Sequence, residues 1–474
     1  MILTFGTHSF PSCQRKRASR AASAGPTTKK RWESSVRLVP LVSKPLPSGT
    51  ITQDFLHAEG LARVRRYPDK LVGIQVPGHE AFTELAESII GPFPAMERGT
   101  IFANFEAELF GFLTAYIGSD PASISAADAS ALHDHFAAWY AKLANPRKVF
   151  APCVISPWSA SRFSIGPVIF IFIEEAARSE FYPTDVLSRD GFDRMLQLMR
   201  DTHANWLACV PIEGCEHQRA EELGTLAIDL AIVALQLAIP PAFDTRTMSR
   251  LDARRGAAER RTLSEADGYY NAGWTRTEPG LSIGTGTLAD FLQKAEPLIT
   301  AVGSCVRSFA TGCFRLPILE RAWCDAAYWL HEALAEPLDS IAVTKLETAL
   351  EVLLRAESTR GSQTRMLKVL DTFYGLKPDD PLTDSTTTTA KKFARHVISD
   401  RSQILHGTSS TLNSRLALNR DGLENFVIAV IRRAALELQD YSVTVSPEDN
   451  IDAFLAWAGG RRGQLIVQKS FCTG

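Results

Sequence analysis

Apolar residues recur along this chain with two different rhythms, and the change from one to the other divides it. From about Leu288 onward, stretch after stretch carries an apolar stripe at three- and four-residue spacing with charges opposite, the pattern of a helix laid against a core. TLADFLQKAEPLITAV, LPILERAWCDAAYWLHEALAE, SIAVTKLETALEVLLRAE, QTRMLKVLDTFYGL, AKKFARHVISDRSQILHG and GLENFVIAVIRRAALELQDYS each predict a helix. Asp339-Ser340 and Asp421-Gly422 stand where caps or turns belong, and DSTTTTA (384–390) reads as an exposed loop tip. The expectation is a compact all-α helical bundle over residues 288–445. A C-terminal tail, 446–474, follows with one short helix, DAFLAWA.

Before that point the pattern is mixed. VIFIFIEE (168–175) is an apolar run rich in Ile and Phe behind Pro167, and suits a buried strand. LACVPIEG (207–214) reads as a second strand running into a turn, whereas DASALHDHFAAWYAKLA (128–144) has helical spacing. Residues 36–282 are therefore expected to form an α+β domain of unassigned type. Residues 1–35 read as a disordered basic tail: the first 33 are rich in Ser, Ala, Lys and Arg and hold one acid, Glu33. A transit peptide, an unstructured tail and an upstream start codon all fit that composition.

Composition narrows the class. At 474 residues there is room for two or three domains, and 45% hydrophobic with 22% charged residues is ordinary globular usage. The net charge of −2 gives no overall attraction to nucleic acid, so any RNA contact requires a local basic surface. Eight scattered cysteines without a C-x-x-C pair argue against a disulfide framework or a zinc ribbon and fit a reducing cytoplasm. The longest apolar run, LGTLAIDLAIVALQLAIPPAF from Leu223, carries Asp229 and Gln236 and ends at a Pro pair; it reads as a buried core helix, and no membrane association is expected.

Several candidate motifs lack their context. Cys209, Cys215 and His217, with His203 upstream, do not have the usual metal-ligand spacing, and no metal or cofactor is expected. GLSIG (280–284) matches a serine-hydrolase elbow around Ser282, but a polar loop stands where the elbow needs a strand. GTGTLA (284–289) lacks the strand of a dinucleotide site for the same reason. His133 and His135, two apart on a predicted helix, point to different faces. Six arginines between Arg246 and Arg261, followed by Tyr269, Tyr270 and Trp274, could stack bases and hold phosphates. The plainer reading of that stretch, and the one expected, is a solvated linker with a few packed aromatics.

DRSQILHGTSS (400–410) is different. R-S-Q-I-L-H-G resembles the R-x4-6-H signature of the HEPN superfamily (higher eukaryotes and prokaryotes nucleotide-binding domains), and its R-S-x-x-x-H-G form is most similar to the ApeA-like branch. Upstream, A-L-E-V-L-L (349–354) resembles that branch's acidic helix, with Glu351 at the acid position and about the right separation. The resemblance covers roughly residues 290–445. It departs from the nucleotidylylated-toxin form, because Thr408 stands where a Tyr would follow the histidine.

The resemblance implies an endoribonuclease in antiphage defence or a toxin-like role, with Arg401 and His406 catalytic and Ser402, Glu351 and Asp400 supporting. It implies RNA as substrate, a homodimer, and an N-terminal sensor answering a phage-derived or nucleotide trigger. The residue chemistry agrees with metal-independent cleavage. Attack by a ribose 2′-hydroxyl needs proton transfers that histidine performs near neutral pH, and a cation on the phosphate, which arginine supplies. On one regular helix the two side chains would diverge by about 140° and stand about 7.5 Å apart along the axis, so a two-fold dimer is part of the expectation. Two other readings remain open: a non-catalytic HEPN module for dimerisation or RNA binding, and a purely structural pair, with His406 at a helix end and Arg401 tied to Asp400 or Glu351.

Overall fold

The computed structural model describes residues 41–45 and 61–461, apart from short breaks of which the longest are 118–125 and 413–418. The basic tail, Ser282 and residues 462–474 lie outside the described residues. The chain divides into two compact units, one of residues 1–147 and 212–222, the other of 148–211 and 223–474.

In the first unit, β1 (Leu41–Pro45), β2 (Leu61–Arg66) and β3 (Lys70–Gln75) form an antiparallel sheet with β3 central. Four helices follow: α1 (His79–Ile90), α2 (Pro94–Gly99), α3 (Phe102–Phe112) and α4 (Ala126–Leu143). Their shared core is Phe82, Leu85, Ile89, Phe105, Leu109 and Phe136, with Ile74 reaching it from β3. Residues 212–222 are bound into this unit by polar contacts. The Glu216 carboxylate accepts from the Ile101 N–H, a donor that the start of α3 leaves unpaired, and, at 3.0 Å, from the Asn104 side chain. The Tyr140 hydroxyl donates to the Gly214 carbonyl at 2.5 Å.

The second unit contains β4 (Arg147–Val154), β5 (Phe163–Ile165), β6 (Val168–Phe172), α5 (Ile173–Ala176), α6 (Val186–Thr202), β7 (Trp206–Ile212), α7 (His217–Ala238) from Leu223 on, and β8 (Ser249–Arg250). Its sheet runs β5-β6-β7-β4-β8, and the β5–β6, β6–β7 and β4–β8 pairs are antiparallel. The strand expected at 168–175 ends at Phe172, where the two acids of I-E-E begin a helical turn. Trp206 is fully buried, its indole N–H bonded to the Ser156 carbonyl at 3.0 Å and its rings packed on Phe163 and Phe172. Next comes a hairpin, β9 (Ala258–Ala266) with β10 (Tyr269–Thr277), in place of the expected linker. Asp267 and Gly268 both take positive φ at its tip, the backbone that an Asp-Gly hairpin turn requires.

From Thr287 everything described is helical apart from connecting turns and one isolated bridge: α8 (Thr287–Lys294), α9 (Glu296–Thr311), α10 (Pro317–Ala335), α11 (Asp339–Leu354), α12 (Thr359–Val369), α13 (Ala390–Leu405), α14 (Arg420–Tyr441) and α15 (Ile451–Arg461). The mixed first half and the helical second half are as the residue patterns predict. TLADFLQKAEPLITAV forms two helices because Pro297, with no N–H to donate, opens a new one. Asp339 and Asp421 fall in the first turns of α11 and α14, where each meets an arginine; Asn419 is the residue that caps α14. α14 packs against α9, α10, α11 and α15, and the Trp323 indole of α10 donates to the Ile431 carbonyl at 3.1 Å.

The apolar run from Leu223 lies in α7 and is largely buried, and among the described residues no helix is long and apolar enough to cross a membrane. Its two polar residues are answered within the fold. Asp229 accepts from Arg250 Nε and Nη2 at 2.8 and 3.1 Å, and Gln236 meets His331 Nδ1 at 3.0 Å and donates to the Met248 carbonyl at 3.4 Å. The compositional change near Leu288 therefore separates element types inside one compact unit, since strands β5–β6 and most of α7 belong with the bundle. Gly166, in the β5–β6 turn at φ +59°, meets Gly303 of α9 backbone to backbone. A Cβ at Gly303 would lie 2.6 Å from the Gly166 nitrogen, too close without displacing the turn. Gly303→Ala is therefore expected to lower unfolding free energy by about 1–3 kcal/mol, measured by urea denaturation.

Candidate functional site

The segment singled out in the sequence lies at the C-terminal end of α13. Thr389 caps the start of that helix through its hydroxyl, and Phe393, Ala394 and Val397 bury the face turned to the bundle. Its end is a Schellman motif. The Gly407 N–H bonds the Ile404 carbonyl at 3.1 Å and the Thr408 N–H bonds the Gln403 carbonyl at 3.0 Å, with Gly407 at φ +67°. The glycine of R-S-Q-I-L-H-G thus has a backbone role: it lets the chain leave the helix. His406 is the cap residue just before it, beyond the last regular turn, and is exposed.

Arg401 is half-buried and turned toward α11. Its Nε lies 3.2 Å from Glu347 Oε2 and its Nη1 2.5 Å from Glu351 Oε2. Glu351 is held in turn by Ser362 of α12, whose hydroxyl donates to Oε1 at 2.7 Å. Asp400 is buried beside this group. Ser402 is half-buried and uses its carbonyl to accept the His406 N–H at 3.0 Å. The structure therefore brings Arg401, Glu351 and Asp400 into one cluster. It does not bring His406 into it: among the described residues, no bond joins the imidazole to Arg401 or to either glutamate.

Glu347 was not singled out in the sequence, and it is the most deeply placed member. It stands one turn before Glu351, so the two carboxylates share a helix face, but it lies within the apolar stripe of Val343, Leu346 and Leu350. The signal was the E-x-x-x-E spacing itself, in T-K-L-E-T-A-L-E. Among the described residues, neither Glu347 oxygen has a hydrogen-bond partner of good geometry, and the charge of Arg401 is what faces it. Burial dominates that balance. It pushes the Glu347 carboxyl from 4.5 up to about 8, Arg401 pulls it down, and Glu351 and Asp400 push it further up. Near neutral pH, Glu347 thus keeps its proton.

The other candidates separate. His133 packs on Phe93 with ring centroids 5.3 Å apart, and His135 on Phe112 at 4.7 Å and against Glu108 at 2.8 Å. Cys209 is buried in β7, and burial raises its thiol to about 12; the Cys215 sulfur takes a hydrogen bond from Arg98 at 3.3 Å. His217 pairs with Glu221 on the surface, and His203 closes α6 in a left-handed conformation. Among the described residues there is no group of three or more His, Cys, Asp or Glu placed to hold a metal. No family model matches this chain, and neither a curated protein nor a solved structure does. The likeness to HEPN domains rests on the residues of α11 and α13 alone.

A proton bound at Glu347 in the folded chain is absent from the unfolded chain between pH about 4.5 and 8. Stability should therefore fall as pH rises through that window. Glu347→Gln is expected to flatten that fall, read as unfolding free energy against pH beside the wild type.

Proposed function

We propose that this protein is a metal-independent endoribonuclease of the ApeA-like HEPN type, with Arg401 and His406 as catalytic residues. One observation carries the reading: an arginine fixed in direction by two carboxylates lies five residues before an exposed histidine at a helix end. Nε and Nη1 face the glutamates, and among the described residues Nη2 has no partner, so it can still bond a phosphate oxygen. Glu347 and Glu351 act as positioning residues. They fix the guanidinium, and the proton held on Glu347 keeps the local charge from repelling an anion. Asp400 pushes the Glu347 carboxyl further up, and Ser402 helps form the turn that presents His406.

The imidazole takes the 2′-hydroxyl proton or protonates the 5′-oxygen as it leaves, and the products are a 2′,3′-cyclic phosphate and a 5′-hydroxyl. A single copy offers one such imidazole, and a homodimer supplies the second. Leu405, directly before His406 in the chain, and Leu412, six residues after it, are both exposed apolar side chains of the kind a second copy covers. A role in antiphage defence or as a restrained toxin follows from the family likeness, with the trigger, phage-derived or nucleotide, acting through the N-terminal region. Truncation at residue 280 is a poor test of that restraint, because it removes strands belonging to the compact unit that carries α13.

A non-catalytic HEPN module is the second reading, favoured by one fact: the two charged contacts of Arg401 make it an ionic clasp between α11 and α13. The assay that separates the two is cleavage of end-labelled RNA with chelator present. Under the nuclease reading, His406→Ala and Arg401→Ala each lose at least about a hundredfold in rate while the oligomeric state is unchanged. RNA binding without cleavage by the wild type would leave the module as the answer.

A further inference from the structure

The charges of α13 are arranged against the stability of the helix. It starts at Ala390, so Lys391 and Lys392 fall in its first turn, with no acid in that turn to answer them. Cations are disfavoured there, because the unpaired amides already make that end positive. Elsewhere in the bundle Lys345, Lys368, Lys377 and Arg433 each meet a carboxylate. Lys391, Lys392 and Arg395 are exposed, and among the described residues none of their side chains has an ion pair or hydrogen bond. A local rule broken without a compensating contact is the mark of a site kept for function.

These three residues share a face with His406. The His406 N–H still bonds the Ser402 carbonyl, so its Cα continues the helical path. At about 100° per residue, Lys391, Lys392 and Arg395 all lie within about 60° of His406 around the axis. Ser399 and Ser402, both half-buried, fill the stripe between, about 20° and 40° from His406. Their hydroxyls add donors to a line of cations. The one acid of α13, Asp400, is buried about 120° away from His406. Just before the helix, Asp380 accepts from the Lys377 N–H at 2.7 Å, and among the described residues neither it nor Asp379 pairs with the lysines.

We infer that this stripe is a substrate track: the phosphates of a single-stranded RNA lie along it, and it leads one side of the scissile bond to His406. The inference deepens the nuclease reading and rests on it for the role of His406. Arg395 stands about 16 Å and Lys392 about 21 Å from His406 along the axis. A stacked strand advances about 3.4 Å per nucleotide, so these cations meet phosphates up to about six nucleotides from the cut. One line of cations follows one backbone. A duplex would bring a second strand with no charge to meet it, and its narrow major groove is closed to side chains. With a net charge of −2 the molecule as a whole does not attract RNA, so the pull is confined to this helix face.

The test compares the full chain with a Lys391→Gln, Lys392→Gln, Arg395→Gln triple variant. A control removes the same charge from exposed arginines in and before α6, as Arg178→Gln, Arg194→Gln, Arg200→Gln. Binding is read by fluorescence anisotropy, with chelator present, on single-stranded 2′-O-methyl RNA about twelve nucleotides long, which lacks the attacking hydroxyl. The α13 variant should bind at least about tenfold more weakly, and its slope of log affinity against log salt should fall by about 2, the loss of three phosphate contacts on a single strand. The control should bind as the wild type does. In cleavage of unmodified RNA of the same length, KM should rise about tenfold with kcat unchanged, while a trinucleotide, too short to reach Arg395, should be cut equally by both proteins. A wild type without affinity for the single strand, a variant with wild-type affinity and slope, a loss matched by the control, or a duplex bound as tightly would each overturn the inference. Failure of the nuclease reading shows differently. A wild type that binds through the stripe and cleaves nothing supports the track and removes the nuclease, whereas cleavage of the longer RNA unaltered in the α13 variant removes the track and leaves the nuclease.

Discussion

The second unit is organised by the need to neutralise acids that its helices carry inward. Asp229 on α7, Glu347 on α11, and Glu424 and Glu437 on α14 are all nearly inaccessible, and each is answered by arginine. Arg250 meets Asp229; Arg401 meets Glu347; Arg246 and Arg420 meet Glu424; Arg433 and Arg461 meet Glu437. Where such an acid is ionised, leaving it buried without its partner typically costs about 3–5 kcal/mol, comparable to the whole margin of a folded domain; Glu347, which keeps its proton near neutral pH, is the exception. The pairs therefore constrain which helix faces which far more tightly than apolar stripes alone could. Arg420 shows how one side chain does this, reaching Asp339 of α11 and the last carbonyls of α10 together.

That constraint explains what could be read from the residues and what could not. Periodicity located the helices from Leu288 onward, the strands at 168 and 207 and the long buried helix, because each depends on spacing within one short segment. The β9–β10 hairpin was read as a linker, since β9 is mostly charged and polar and residues 261–273 bury nothing, although Asp267-Gly268 was a turn signal in plain view. The compact units escaped too. Composition changes near Leu288, but which strands pack with which helices depends on partners far apart in sequence, such as Gly166 with Gly303 or Arg246 with Glu424.

The candidate site was legible in part for the same reason. Arg401, Glu351 and Asp400 were named from local motifs, and they meet. Glu347 was missed because a glutamate within an apolar stripe ordinarily looks like a helix face turning to solvent; only the arrival of Arg401 from α13 gives it a partner. The geometry on regular-helix spacing also changed, because His406 stands past the last turn on a cap whose shape is set by Gly407. The chain thus sets its arginine between two carboxylates and leaves its histidine exposed at the helix end.

The contact between Gly166 and Gly303 bears on how this protein can change over generations. Neither position tolerates even a methyl group while the other backbone stays where it is, so drift at one is closed off by the other. The two codons lie far apart, yet selection sees them as a single site. Descendants of this chain that keep the hairpin turn against α9 must inherit both glycines, and a lineage that has lost one will have rebuilt the seam between sheet and helices.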